Sequence, residues 1–202
     1  MPNAEFFQKL GLFAVPRFLD EATCARVHAA MTEGRRTDAT VGSDTSEFVV
    51  DRSYRRTKFV DVPDDVREVV RARLMDARPQ IAAHYGAEIQ DCQKPQFLAY
   101  APGDFYKPHR DDDSSPTGAL LSKERKVSAV IFVNPHADVP RDGCYGGGAL
   151  TLYELFDGTG GQKIGLPVDP EPGLLITFVS SLLHSVTPVT HGERCTVVSW
   201  YR

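Results

Sequence analysis

The spacing of apolar and polar positions divides the chain into two textures. A short apolar run from Leu12 to Phe18 reads as a strand. The stretch from Asp20 to Gly34 then reads as a helix, with Asp20 as N-cap, an acid in the first turn and Gly34 as its stop. Residues 35–46 are polar and aperiodic and predict a loop, which runs into an extended stretch over 48–60. A second helix opens at Pro63 with two acids behind it. It places Val66, Val69, Val70 and Leu74 at helical spacing and runs to about Tyr85.

From Gln96 onward the pattern changes to short β-rich runs separated by turn residues, over 96–100, 126–133, 148–155, 174–178, 184–189 and 195–201. Short strands following two helices predict a mainly β, α+β fold, a sandwich or barrel backed by helices. In the last run, strand alternation places Arg194, Thr196, Val198 and Trp200 on one face.

Composition changes this picture little. A length of 202 residues predicts one domain, with 1–95 supplying strand, helices and a substrate-side loop and 96–202 the β core. A chain of this size buries roughly 70% of the surface its unfolded form exposes. The net charge of −4 gives no general attraction to nucleic acid or anionic membrane, and no apolar window approaches the ~18 residues of a span. Cys24, Cys92, Cys144 and Cys195 are widely separated, which argues for free buried thiols, and the N-terminal residues have no signal-peptide pattern, so a reducing cytoplasm is expected. Gly146–Gly148 lacks the spacing of a phosphate cradle.

The chemistry centres on the stretch from Tyr100 to Asp111, which ends in His109-x-Asp111. On an extended segment residues i and i+2 project to one side, so the imidazole and carboxylate can converge on one ion. A second imidazole would complete the two-His, one-carboxylate face that suits non-haem Fe(II) and leaves open coordination positions. Of His28, His84, His136, His184 and His191, only His184 opens a β-like run. Tyr100 is expected deeper on the same strand as His109.

Tyr100-x-x-Gly103, His109-x-Asp111, the run from Gly147 to Leu150, the run from Pro172 to Phe178, His184 to Val189, Gly192-Glu-Arg194 and Trp200 occur in an order that resembles the Fe(II)/2-oxoglutarate-dependent oxygenases, in their prolyl 4-hydroxylase-like branch. The resemblance covers about residues 96–202 and implies a double-stranded β-helix, or jelly-roll, supported by N-terminal helices. It implies Fe(II) on His109, Asp111 and His184, with 2-oxoglutarate and O2 as co-substrates. Arg194 would pair with the distal carboxylate of 2-oxoglutarate, helped by Tyr100 and Thr196, and its planar fork suits that task. Trp200, Tyr106 and Arg56 would face the substrate; Arg56 belongs to a basic cluster with Arg52, Arg55 and Lys58 that matches a closing flap in relatives. Relatives often carry a hydroxyl where this chain has Phe132.

The activity so implied is a dioxygenase that hydroxylates an unactivated C–H bond, in a prolyl residue of a protein or peptide or in a proline-like small molecule. A carboxylate at Asp111 favours hydroxylation over halogenation. Two other readings are a nucleobase demethylase of the same fold, which the acidic charge balance disfavours, and a non-catalytic metal-binding jelly-roll protein.

Overall fold

The computed structural model describes residues 4–42, 48–112, 120–156 and 164–202. A short helix, α1 (Ala4–Lys9), precedes strand β1 (Phe13–Val15), and α2 (Glu21–Glu33) follows, capped by the Asp20 carboxylate accepting from the Thr23 amide. Helix α1 is too short to give a readable period and was not expected. Next come β2 (Arg36–Asp38), β3 (Val41–Gly42), β4 (Phe48–Val49), β5 (Arg55–Arg56) and β6 (Lys58–Val60).

The predicted loop over 35–46 is therefore partly strand, with β2 pairing antiparallel with β6; residues 43–47 lie outside the described residues. Arg36-Thr-Asp38 has no apolar alternation, and its backbone is ordered by the neighbouring ladder rather than by its own side chains. The extended stretch over 48–60 breaks because Asp51 folds a turn: its carboxylate accepts from the Ser53 amide and its carbonyl from the amides of Tyr54 and Arg55. Helix α3 (Asp64–Tyr85) matches the predicted second helix and ends on Gly86 in the left-handed region, φ 58°.

The second half contains β7 (Gln96–Tyr100), β8 (Phe105–His109), α4 (Leu120–Lys123), β9 (Val127–Phe132), β10 (Gly146–Gly147) and β11 (Leu150–Leu152). After them come β12 (Leu166–Pro167), β13 (Leu175–Val179), β14 (His184–Val186), β15 (Val189–His191) and β16 (Arg194–Tyr201). Every predicted β run holds a strand, and the run over 184–189 splits into two. A seven-stranded antiparallel sheet has the order β1-β13-β9-β16-β7-β6-β2, and a five-stranded one the order β12-β11-β14-β8-β5. Together they form the expected jelly-roll.

Alternation along the central strands decides which side chains reach which layer. Val127, Ala129 and Ile131 of β9, and Cys195, Val197 and Tyr201 of β16, pack with Val27 and Met31 of α2 and Val70, Leu74 and Ile81 of α3. The opposite faces meet the five-stranded sheet, where Val130, Phe132, Ile176 and Phe178 pack on Leu150 and Leu152. Two phenols bind the helices to the sheet: Tyr201 donates to the Leu74 carbonyl (2.7 Å), and Tyr85 donates to the Thr177 carbonyl (2.7 Å) while accepting from the Phe13 amide.

Leu74 is fully buried between α3 and the large sheet. Leu74→Ala is expected to cost about 2–5 kcal/mol of unfolding free energy, read from the shift of a chemical denaturation midpoint at constant slope.

Candidate active site

Strands β8 and β14 are neighbours in the small sheet, and their register sets His109 directly opposite His184, with ring centroids 4.1 Å apart. Each ring is oriented in the same way. His109 Nδ1 lies 2.9 Å from the Lys107 carbonyl, and His184 Nδ1 lies 2.9 Å from the Leu182 carbonyl. A carbonyl only accepts, so each Nδ1 carries the proton and each Nε2 is left with a lone pair facing the centre. Asp111, two residues beyond His109, places Oδ1 3.6 Å from His109 Nε2 and Oδ2 3.5 Å from His184 Nε2. One ligand atom from each of the three residues falls within 4.8 Å of the others.

The carboxylate is fixed from the large sheet. Ser128 Oγ on β9 donates to Asp111 Oδ2 (2.7 Å) and lies 3.0 Å from Ser180 Oγ, while the Asp111 amide donates to the Ser180 carbonyl (2.9 Å). Burial alone would raise the Asp111 carboxyl, but His184, His109 and the Ser128 hydroxyl outweigh it and hold the group well below the usual carboxylate range. Burial, followed by the neighbouring His109, pushes His184 down to about 4, so it is a neutral ligand at neutral pH. Two imidazoles and one ionised carboxylate on one side of the centre are a donor set that suits Fe(II) and leaves the other side open.

A cavity of about 1190 Å³ opens over the triad and extends between the sheets. Arg194 lies on its wall, 1% exposed, with its guanidinium carbon 5.1 Å from the Tyr100 ring centroid and 5.5 Å from that of Phe132. Nη1 donates to Thr196 Oγ1 (3.3 Å), and Nε is buried with no hydrogen-bond partner among the described residues. A permanent charge held this way needs an anion from outside the chain. Gly148 makes room for the side chain: a Cβ there would sit 2.8 Å from Arg194 Cδ, and its φ of 60° is itself glycine-favouring.

The expected site residues divide on placement. His109, Asp111, His184, Arg194, Thr196, Tyr100, Trp200 and Tyr106 all line the cavity. Arg56 does not: it is exposed and lies over Phe105, while its neighbour Arg55 is buried and faces in. Tyr100 is not on the strand of His109. The chain turns at Ala101–Asp104, where Gly103 has φ 84° and the Asp104 carboxylate accepts from the Ala101 amide, so Tyr100 pairs with Arg194 in the large sheet instead. Sequence reading missed Ser128, whose signal is a lone hydroxyl in an apolar strand, and Arg125, stacked 3.6 Å over Trp200. It also missed Tyr145, a buried phenol beside Arg194 whose pKa is raised by burial, with the Arg194 charge opposing the rise.

A profile of the 2OG-Fe(II) oxygenase superfamily matches residues 95–202. The chain belongs to that superfamily. It is 29% identical over 187 residues to a PKHD-type hydroxylase of Thioalkalivibrio sulfidiphilus, covering 91% of this chain and 74% of that one. It is also 29% identical over 164 residues to a PKHD-type hydroxylase of Shewanella baltica, covering 79% and 65%. The chain thus spans about two thirds to three quarters of the length of these relatives. Among solved structures, a Pseudomonas putida prolyl-4-hydroxylase superposes with a TM-score of 0.69 at 22% identity over 98% of this chain and 96% of that one. A Trichoplax adhaerens prolyl hydroxylase in complex with a hypoxia inducible factor peptide also gives 0.69, at 19% identity over 98% and 86%. These two likenesses show the fold.

The enzyme is therefore an oxidoreductase that uses Fe(II), 2-oxoglutarate and O2, and the His109, Asp111, His184 donor set and the unpaired Arg194 fit those groups. Ser128→Ala removes the bond that orients Asp111 without touching a ligand. It is expected to weaken Fe(II) affinity by about 10- to 100-fold in a metal titration, with the fold unchanged by circular dichroism.

Proposed function

We propose that this oxygenase hydroxylates an unactivated C–H bond, and that its substrate is a prolyl residue of a protein or a proline-like small molecule. The observation that carries the hydroxylase reading is the coexistence, in one cavity, of an intact His109, Asp111, His184 face and a buried arginine with no carboxylate partner among the described residues. The hydroxylase reading is also supported by the names of the relatives, and the prolyl reading by those of the Pseudomonas putida and Trichoplax adhaerens neighbours.

Bound iron would supply O2 activation coupled to oxidative decarboxylation of 2-oxoglutarate to succinate and carbon dioxide. The chain's own residues orient the partners. Arg194 offers a planar pair of donors to the distal carboxylate, and Thr196 Oγ1, already an acceptor for Arg194 Nη1, turns its own hydroxyl proton toward the same group. Tyr100, on the strand beside Arg194, closes that end of the pocket. Tyr106 stacks on His109 with centroids 3.5 Å apart, and Trp200 carries the Arg125 guanidinium, so both rings are held in place on the cavity wall. Both rings line the cavity and would help exclude water from the reacting carbon.

With Fe(II), 2-oxoglutarate and O2, purified protein is expected to release succinate and to add 16 daltons to a proline-containing peptide or metabolite in a mass-spectrometric screen; methyl loss from nucleic acid instead would overturn the reading. Arg194→Ala is expected to raise KM for 2-oxoglutarate by about 30-fold or more while the Kd for Fe(II) stays put, because it truncates one partner of a buried charge pair.

A further inference from the structure

Arg55 is the cation that the proposed reaction leaves without a role. It sits on β5, where pairing of Arg55 with Tyr106 of β8 aims it into the cavity, and it is 8% exposed. Its guanidinium carbon lies 4.7 Å from the Tyr106 ring centroid, and Tyr106 stacks on His109, so guanidinium, phenol and imidazole form one column ending at a metal ligand. Nη1 donates to the Thr40 carbonyl (2.9 Å), and Nε is buried with no hydrogen-bond partner among the described residues.

Three arginines nearer the rim of the same cavity show what ordinary compensation looks like here. Arg71, Arg110 and Arg202 are paired with Asp91, Glu154 and Glu124 at 2.8, 2.8 and 2.9 Å. Among the described residues no ion pair reaches Arg55. The two aromatic contacts, with Tyr106 and with Phe59 (5.3 Å), recover less than desolvating an unpaired guanidinium costs, so an anion is the missing partner.

We propose that Arg55 anchors a carboxylate carried by the primary substrate, so that the enzyme selects a substrate bearing a carboxylate near the carbon to be oxidised. This rests on the oxygenase reading above. The carboxylate has two sources, the main-chain acid of a free proline-like amino acid or an acidic side chain beside a prolyl residue in a peptide.

The chain contains a single tryptophan, Trp200, on the same cavity, which makes its fluorescence the readout. Full-length protein loaded with Mn(II) and 2-oxoglutarate without oxygen is titrated with L-proline against L-prolinamide, and with acetyl-Glu-Pro-Gly-amide against its Gln counterpart. The carboxylate member of at least one pair is expected to bind about tenfold more tightly than its amide, a charge-assisted gain. A gap in the first pair alone assigns the free acid, and a gap in the second alone assigns the peptide. Arg55→Gln is expected to erase the gap, and Arg55→Lys to keep part of it, with 2-oxoglutarate binding measured in parallel to report a folded pocket. The proposal is overturned if neither pair shows a gap or if the gap survives in Arg55→Gln. Failure of the oxygenase reading is seen separately, as the absence of Fe(II)-dependent succinate release.

Discussion

Everything in this molecule depends on the period-two alternation of β16. The strand is central to the seven-stranded sheet, paired antiparallel with β7 on one side and β9 on the other, so its register cannot drift without breaking both ladders. Cys195, Val197 and Tyr201 face the helices, while Arg194, Thr196, Val198 and Trp200 face the cavity. A slip of one residue would drive a guanidinium into the apolar layer under α3 and lift Tyr201 away from the Leu74 carbonyl. The packing of α2 and α3 against one face is thus what aims the chemistry on the other.

The small sheet uses the same constraint at its own scale. Because β8 and β14 are antiparallel neighbours, setting His109 opposite His184 brings two imidazoles together without any loop having to close around them. Asp111 is different. It lies beyond the end of β8 and owes its position to Ser180, which follows β13, and to Ser128 on β9, both from the large sheet. The triad therefore reports the seating of one sheet on the other, with two ligands from one and the support of the third from its partner. That division puts a single hydroxyl, Ser128, where it orients a carboxylate of the triad from the opposite sheet.

The parts of this arrangement that were legible in the sequence are those that follow from type and spacing along one strand: the His109-x-Asp111 pair, His184 at the head of a β run, and the inward face of β16. What was not legible depends on where a strand begins. Arg55 and Arg56 are equivalent in composition, and only the Asp51 turn, which starts the strand at Arg55, decides which faces in. The separation of Tyr100 from His109 had a local signal in Ala101-Pro-Gly-Asp104, a turn sequence that ends one strand and starts another in the opposite sheet. Ser128, Arg125 and Tyr145 reach the site through tertiary packing across sheets, for which periodicity within a segment carries no information.

The absence of a strand hydroxyl at Phe132 bears on how Arg194 is prepared for its ligand. Phe132 lies opposite Thr196 in the ladder and gives Arg194 a ring face in place of an oxygen. Tyr145, approaching from the β9–β10 connection, brings a buried phenol to the side of Arg194. An arginine whose donors were all taken by its own chain would have to break those bonds before gripping an anion. Arg194 instead rests on two aromatic rings, which support the charge without occupying its in-plane donors. The guanidinium is therefore desolvated in advance but still open in its plane, so much of the reorganisation that binding would require is already present in the fold.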